Sequence, residues 1–222
     1  MISNNRETQL LQRAFRNLMN ALARPGLIGD VEPLMRVGET EEAALPPCFE
    51  MVVRTLVDQA VTFAVSGSKE QEATRWVSLQ THSHATELEL ANFVLVPDVA
   101  HSALCRDAVF KAFEGTLVEP EKGATIIIAC GALAGERIPG DELGPVAPGE
   151  KTYRITVKGP GIKDTHTFSV DRVDWLEARK ERGDEYPCGI DVFLVDEEGH
   201  VIGIPRTTII TSVEKEGAAW DM

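Results

Sequence analysis

The chain has 222 residues, 22 of them basic and 35 acidic, which gives a formal charge of −13 with histidine neutral. With an isoelectric point near 4.8 it lacks the positive field that neutralises nucleic-acid phosphates or anionic lipid headgroups. At 43% hydrophobic and 26% charged it is too apolar for a disordered chain and too charged for a membrane protein.

In chain order, residues 5–23 predict a helix, because Leu11, Phe15, Leu18, Met19 and Leu22 recur at helical spacing with Arg13, Arg16 and Asn17 between them. Asn4 with Glu7 three positions on predicts its cap, and Arg24-Pro25-Gly26 its stop. The run of Arg6, Arg13, Arg16 and Arg24 also resembles a transit peptide, but Glu7 and the tight onward connection favour an integral helix. A second helix is predicted after Pro46-Pro47, where Phe49, Val52, Val53, Leu56 and Val57 share a face. Residues 61–65 read as a strand ended by Ser66-Gly67-Ser68, and residues 93–96 form an apolar run closed by Pro97. Residues 102–113 look helical through Leu104, Ala108, Val109 and Phe113. Residues 124–130 are the most hydrophobic run and fit a strand covered on both faces.

The acidic, Pro/Gly-rich stretch 135–150 reads as a mobile surface loop. Tyr153, Ile155 and Val157 alternate with Arg154 and Thr156, predicting a half-exposed strand before a Gly159-Pro160-Gly161 turn. Residues 170–182 predict a charged helix with Val173 and Leu176 inward, ended at Gly183. The chain closes with strands at 190–195, 201–204 and 207–213, the first two joined by a Glu198-Gly199 turn. Interleaved elements followed by a hairpin-like end predict a single α/β domain over residues 1–222, a mixed sheet flanked by helices.

Chemistry-bearing patterns are sparse. Cys48, Cys105, Cys130 and Cys188 never form a CxxC pair, so they read as buried free thiols of a reducing cytosol. No apolar run reaches the roughly 18 residues of a membrane span, and a cytoplasmic location is expected. Gly159-Pro160-Gly161 imitates a dinucleotide fingerprint, but Asp164 stands where its third glycine belongs. The 131–140 segment lacks the Gly-Lys-Ser/Thr of a phosphate loop. His82 and His84 have a metal pair's alternation without a third ligand, so they read as loop histidines and no metal is expected. His101 and Cys105 are four apart without an orienting group, which favours packing over nucleophilic chemistry. Glu87 and Glu89 read as a solvated strand edge. The last third holds the best candidates for an anion site: Asp191 heads an apolar strand, and Arg206-Thr207-Thr208 joins the next two. Arginine suits a phosphate or phosphonate, although an architectural Asp191–Arg206 ion pair is the plainer reading.

Phe15-Arg16 with Leu18-Met19, Ala23-Arg24-Pro25-Gly26, Gly115-Thr116 with Pro120-Glu121 and Gly123-Ala124-Thr125, Gly159-Pro160-Gly161-Ile162, Pro187 with Gly189-Ile190-Asp191, and Ile204-Pro205-Arg206-Thr207-Thr208 occur in that order. Together they resemble PhnH, the phosphonate-metabolism family of the bacterial carbon–phosphorus lyase system. The resemblance implies an α/β fold related to pyridoxal-phosphate-dependent transferases, a homodimer without the pyridoxal cofactor, and membership of a core complex with sister subunits. That complex is expected to displace adenine from ATP by a phosphonate, giving a ribose 1-phosphonate 5-triphosphate for the lyase. Charge points to an accessory role: binding two polyanions calls for clustered cations, and this chain has the opposite balance. An accessory subunit predicts an exposed apolar patch for partners and no pocket lined by a cationic cluster. The rival, a self-contained enzyme holding an anion at Arg206 and Asp191, predicts a concave pocket there. A cytosolic scaffold unrelated to phosphonates is the third reading. No catalytic or cofactor-binding residue is assigned.

Overall fold

Helix α1 (Ile2–Ala23) ends at Arg24-Pro25-Gly26, where Gly26 takes φ +83°. The structure is a computed structural model describing residues 2–33, 44–100, 102–139, 143–149 and 152–215. The helix starts earlier than the capping signal predicts, so Asn4 lies inside it. Its inward face is also shifted: Ala14, Leu18 and Ala21 are buried, whereas Phe15 and Met19 are 49% and 47% exposed. Positions 14, 18 and 21 share one face, and 15 and 19 lie a quarter-turn or more away from it.

Strand β1 (Gly29–Asp30), helix α2 (Pro47–Leu56) and strand β2 (Thr62–Val65) follow. Next come α3 (Glu70–Thr81), β3 (His84–Ala85), a 3-10 turn (Leu88–Leu90), β4 (Phe93–Val96) and α4 (Ser102–Lys111). A short 3-10 turn (Pro120–Lys122) leads to β5 (Thr125–Ala129) and β6 (Leu133–Gly135). Strands β7 (Tyr153–Lys158) and β8 (His166–Val170) precede α5 (Asp174–Arg182), and β9 (Asp191–Val195), β10 (His200–Ile204) and β11 (Ile209–Lys215) end the described chain. No helix among the described residues is long and apolar enough to cross a membrane.

The predicted mixed sheet is present, joined by a second sheet that the sequence did not announce. The large sheet has the order β1-β10-β9-β5-β4-β2-β3, and the small one β11-β7-β8-β6. Strands β9, β5, β4, β2 and β3 run parallel, while β10 and β1 add antiparallel beside β9. The small sheet is antiparallel throughout, and β11 leaves the β9–β10 hairpin to pair with β7. The segment before α5 is therefore strand β8, not helix: Phe168 and Val170 are buried around it, and the helix starts at Asp174.

Both faces of the large sheet are covered. Ile126 and Ile128 of β5 join a cluster with Ile155, Phe168 and Trp175 from the small sheet and α5, while Ile127 and Ala129 join the opposite cluster with Leu18, Phe49 and Val77. This two-residue alternation explains why β5 reads as continuously apolar. Each fully buried isoleucine there is worth about 2 kcal/mol over an exposed one.

Two further expectations are corrected. The 135–150 stretch is tied down over its described part: the Arg137 guanidinium pairs with Asp30 and its Nε donates to the Gly144 carbonyl at 2.9 Å, while Gly135 bridges Val146. Glu87 and Glu89 do not share a strand edge, because they cap and occupy the 88–90 turn. The Gly159-Pro160-Gly161 turn is as expected, and Gly161 has φ +84° with its Cα against the Ala23 carbonyl oxygen, where any Cβ would collide.

Candidate functional site

Most of the residues singled out in the last third converge on one place. Helix α5 ends at Gly183 in a left-handed conformation, and the chain passes through a cis Tyr186–Pro187 bond into Asp191 at the head of β9. There the Asp191 carboxylate accepts from the Arg206 backbone N–H at 2.7 Å and from its Nη2 at 2.7 Å, with Nε at 3.3 Å from both oxygens. The remaining Arg206 donors go to the carbonyls of Pro120 and Gly123. Gly123 must be glycine, since a Cβ would overlap the Gly189 carbonyl and Arg206 Nη1. Gly189 N–H in turn donates to the Glu114 carbonyl at 2.8 Å, and Asp191 N–H to that of Ala124 at 3.1 Å. The segments 114–124, 187–191 and 204–208, separate in sequence, thus form one hydrogen-bonded knot. A second knot joins 23–26 to 159–166, through Gly161 against Ala23 and His166 Nδ1 at 2.7 Å from the Pro25 carbonyl.

Sequence reasoning took α5 as a charged face and missed its arginines. Arg179 Nη2 reaches the carbonyls of Pro205, Arg206 and Thr208 at 2.9, 3.2 and 3.4 Å. Burial lowers its pKa, opposed by the nearby Asp191 and Asp184 carboxylates. Arg182 Nη1 donates to the carbonyls of Val109, Phe110 and Ala112 at the end of α4, and its Nε to Asp184 at 2.8 Å. A hydrogen bond with Asp184 pushes the Glu114 carboxyl above its usual range, opposed by the Arg182 guanidinium beside it. No single-sequence signal marks arginines that bond to distant carbonyls.

Above the first knot lies a cavity of about 910 Å3, lined by Arg179, Lys180, Tyr186, Arg206-Thr207-Thr208 and β11 from Ile209 to Val213. The concave pocket of the rival reading is therefore present, and its lining includes Arg179, Lys180 and Arg206 together with Asp184. Arg206 Nε, Nη1 and Nη2 and Arg179 Nη2 are engaged by protein, however. Only Lys180 is an exposed lining cation without a partner among the described residues. Thr208 Oγ1 is buried in the lining with no hydrogen-bond partner.

The other candidates part company. His82 caps α3 in a left-handed conformation while His84 lies on β3, and no group of three or more metal-ligating side chains occurs among the described residues. His101 lies outside the described residues. Its predicted partner Cys105 is buried, which pushes the thiol up and disfavours the thiolate. Burial likewise raises Cys130, and Cys48 to about 11. Only Cys188 is partly exposed. Ellman's reagent on the native protein is expected to titrate Cys188 quickly and the other three only in denaturant; a native burst of four equivalents would contradict this packing.

A buried cluster that the sequence did not flag joins His200 and Asp196 across the Glu198-Gly199 turn. His200 Nδ1 is 2.8 Å from Asp196, and its Nε2 lies 3.3 Å from Arg137 and 3.9 Å from Asp30. Asp196 also accepts from the backbone N–H groups of Leu133 and His200. Both ring nitrogens are enclosed, so the pair is a clamp between β10, β6 and the 135–138 segment. The Asp196 hydrogen bond raises the His200 pKa against burial and Arg137. The folded pKa exceeds the unfolded one, so the clamp's contribution is complete below the ordinary histidine pKa and fades as pH rises through the raised value. Urea unfolding of wild type and His200→Asn at pH 5.5 and 8.5 is expected to show the larger difference at pH 5.5; the reverse ordering would refute the assignment.

Chain topology and site together define a two-sheet α/β protein whose principal arginines hold main chain, beside a cavity of ligand size. The chain belongs to the bacterial phosphonate metabolism protein (PhnH) family, whose model matches residues 4–211. It is 26% identical to the alpha-D-ribose 1-methylphosphonate 5-triphosphate synthase subunit PhnH of Rhizobium meliloti (strain 1021), an alignment covering 89% of this chain and 88% of that one. The family resemblance read from the motifs is thereby established.

Proposed function

We propose that this chain is the PhnH subunit of a ribose 1-methylphosphonate 5-triphosphate synthase in the carbon–phosphorus lyase pathway. It acts there as an accessory, non-catalytic subunit, a single folding unit and homodimer in the cytoplasm. The observation that carries the accessory reading is the engagement of Arg206 by Asp191 and two backbone carbonyls and of Arg179 Nη2 by three more, which ties both guanidinium groups to the protein's own chain rather than to a triphosphate and a phosphonate. Every described lysine is exposed, which supports a cofactor-free relative of the pyridoxal-phosphate-dependent transferases, since a Schiff-base lysine works from a desolvated setting. Reconstitution tests the reading: sister subunits lacking this chain are expected to convert ATP and methylphosphonate poorly and to recover on its addition. Turnover by the isolated chain would end the accessory reading.

The buried, unpartnered Thr208 hydroxyl favours a second reading, in which an anionic phosphonate or nucleotide binds the isolated chain at Arg206, Thr207, Thr208 and Asp191. Calorimetric titration with methylphosphonate and with ATP decides it, and the absence of heat from both would remove it.

A further inference from the structure

Strand β11 is the outermost strand of the small sheet, and among the described residues no strand covers its outer edge. Ile209 to Val213 line the cavity together with Leu176, Arg179 and Lys180 of α5. An open strand edge beside a helix, with an apolar trough between them, takes up an extended segment through main-chain hydrogen bonds, with alternate side chains filling the trough. Exposed apolar surface is present along it: Ile209 is 55%, Val213 41% and Tyr186 81% exposed. Thr208 Oγ1, buried on the same lining without a partner, would meet a main-chain group of an incoming strand.

Charge selects the occupant. The Arg206 charge is answered by Asp191 and Arg179 Nη2 bonds to carbonyls, while Lys180 is an exposed lining cation with no partner among the described residues, placed to attract a carboxylate. A second copy of β11 has no carboxylate over 209–213 and would leave Lys180 unanswered. The docking length is bounded on the strand itself. A register shift lies between Ile210 and Ser212, where Thr211 Oγ1 donates to the Thr156 carbonyl at 3.1 Å, and Glu214 and Lys215 stand beyond the cavity. Such devices protect an edge from indiscriminate pairing.

We propose that this trough receives an extended, acidic segment of a sister subunit as an added strand on β11, with a carboxylate of that segment against Lys180. The proposal rests on the subunit reading above. Hydrogen–deuterium exchange on the full chain, alone and co-expressed with the sister subunits, tests it. Amides in 209–213 are expected to exchange about tenfold or more slowly in the complex. Lys180→Glu and Val213→Glu, both at exposed positions, are each expected to weaken assembly about tenfold while the melting temperature of the isolated chain stays unchanged. Lys180→Arg should retain assembly. A complex that forms with 209–213 unprotected, or that ignores both substitutions, overturns the docking surface and leaves the subunit reading standing. Failure of the wild-type chain to assemble removes the subunit reading and this surface with it. Protection of 209–213 in the isolated chain that grows with its concentration assigns the edge to a second copy and overturns the acidic segment.

Discussion

Trp175→Ala is expected to destabilise the protein by about 3–5 kcal/mol, the loss typical of a large aromatic deleted from a core. Trp175 is the largest fully buried side chain and belongs to the cluster shared by both sheets. Its Nε1 donates to the Arg172 carbonyl at 3.2 Å, which pins the first turn of α5. The effect extends past the cavity left behind, because α5 carries Arg179 and Arg182, which hold the 205–208 loop and the end of α4. Trp175→Phe should lose less, as it keeps most of the volume and gives up the hydrogen bond. Urea denaturation reads both, and a loss below about 1 kcal/mol for the alanine variant would contradict the packing described for α5.

Arg206→Ala is expected to cost about 2–3 kcal/mol, somewhat under the range for breaking a fully buried pair because both partners keep some solvent contact. The side chains of Arg206 and Asp191 are 15% and 22% exposed. Removing the guanidinium leaves the carbonyls of Pro120 and Gly123 without its donors and Asp191 with only the backbone N–H of residue 206. Arg206→Lys should recover little, because one ammonium cannot reach a carboxylate and two carbonyls in the directions a planar fork serves. In a double-mutant cycle with Asp191→Asn, a coupling energy near zero would show that the two side chains act independently.

The sequence was most legible where structure is local or strongly patterned. The stop of α1 at Pro25-Gly26, the run that became β5 and the glycine ending α5 were all readable from neighbours in the chain. So was the Asp191–Arg206 pair, since opposite charges at adjoining strand ends have few other partners. Helix α3 was missed because its inward face is only Ala73, Val77 and Thr81, too small and too polar a stripe to stand out. Strand β8 was missed because Val170 was absorbed into the helix that begins four residues later. The Arg179 and Arg182 clamps depend on carbonyls brought together by the fold, and a carbonyl is present at every residue, so composition says nothing about which ones they choose.

The strand order has a consequence for how the chain reaches this state. β5 sits at the middle of the large sheet with β9 on one flank, and β1 near the start of the chain finds its partner only in β10. Until residues 191–204 have left the ribosome, an isoleucine-rich strand with one bare edge and an N-terminal strand with no neighbour wait in solution. Contacts so remote in sequence slow folding and lengthen exposure to aggregation. Synthesis of residues 191–204 is therefore the step that commits the large sheet to its native topology.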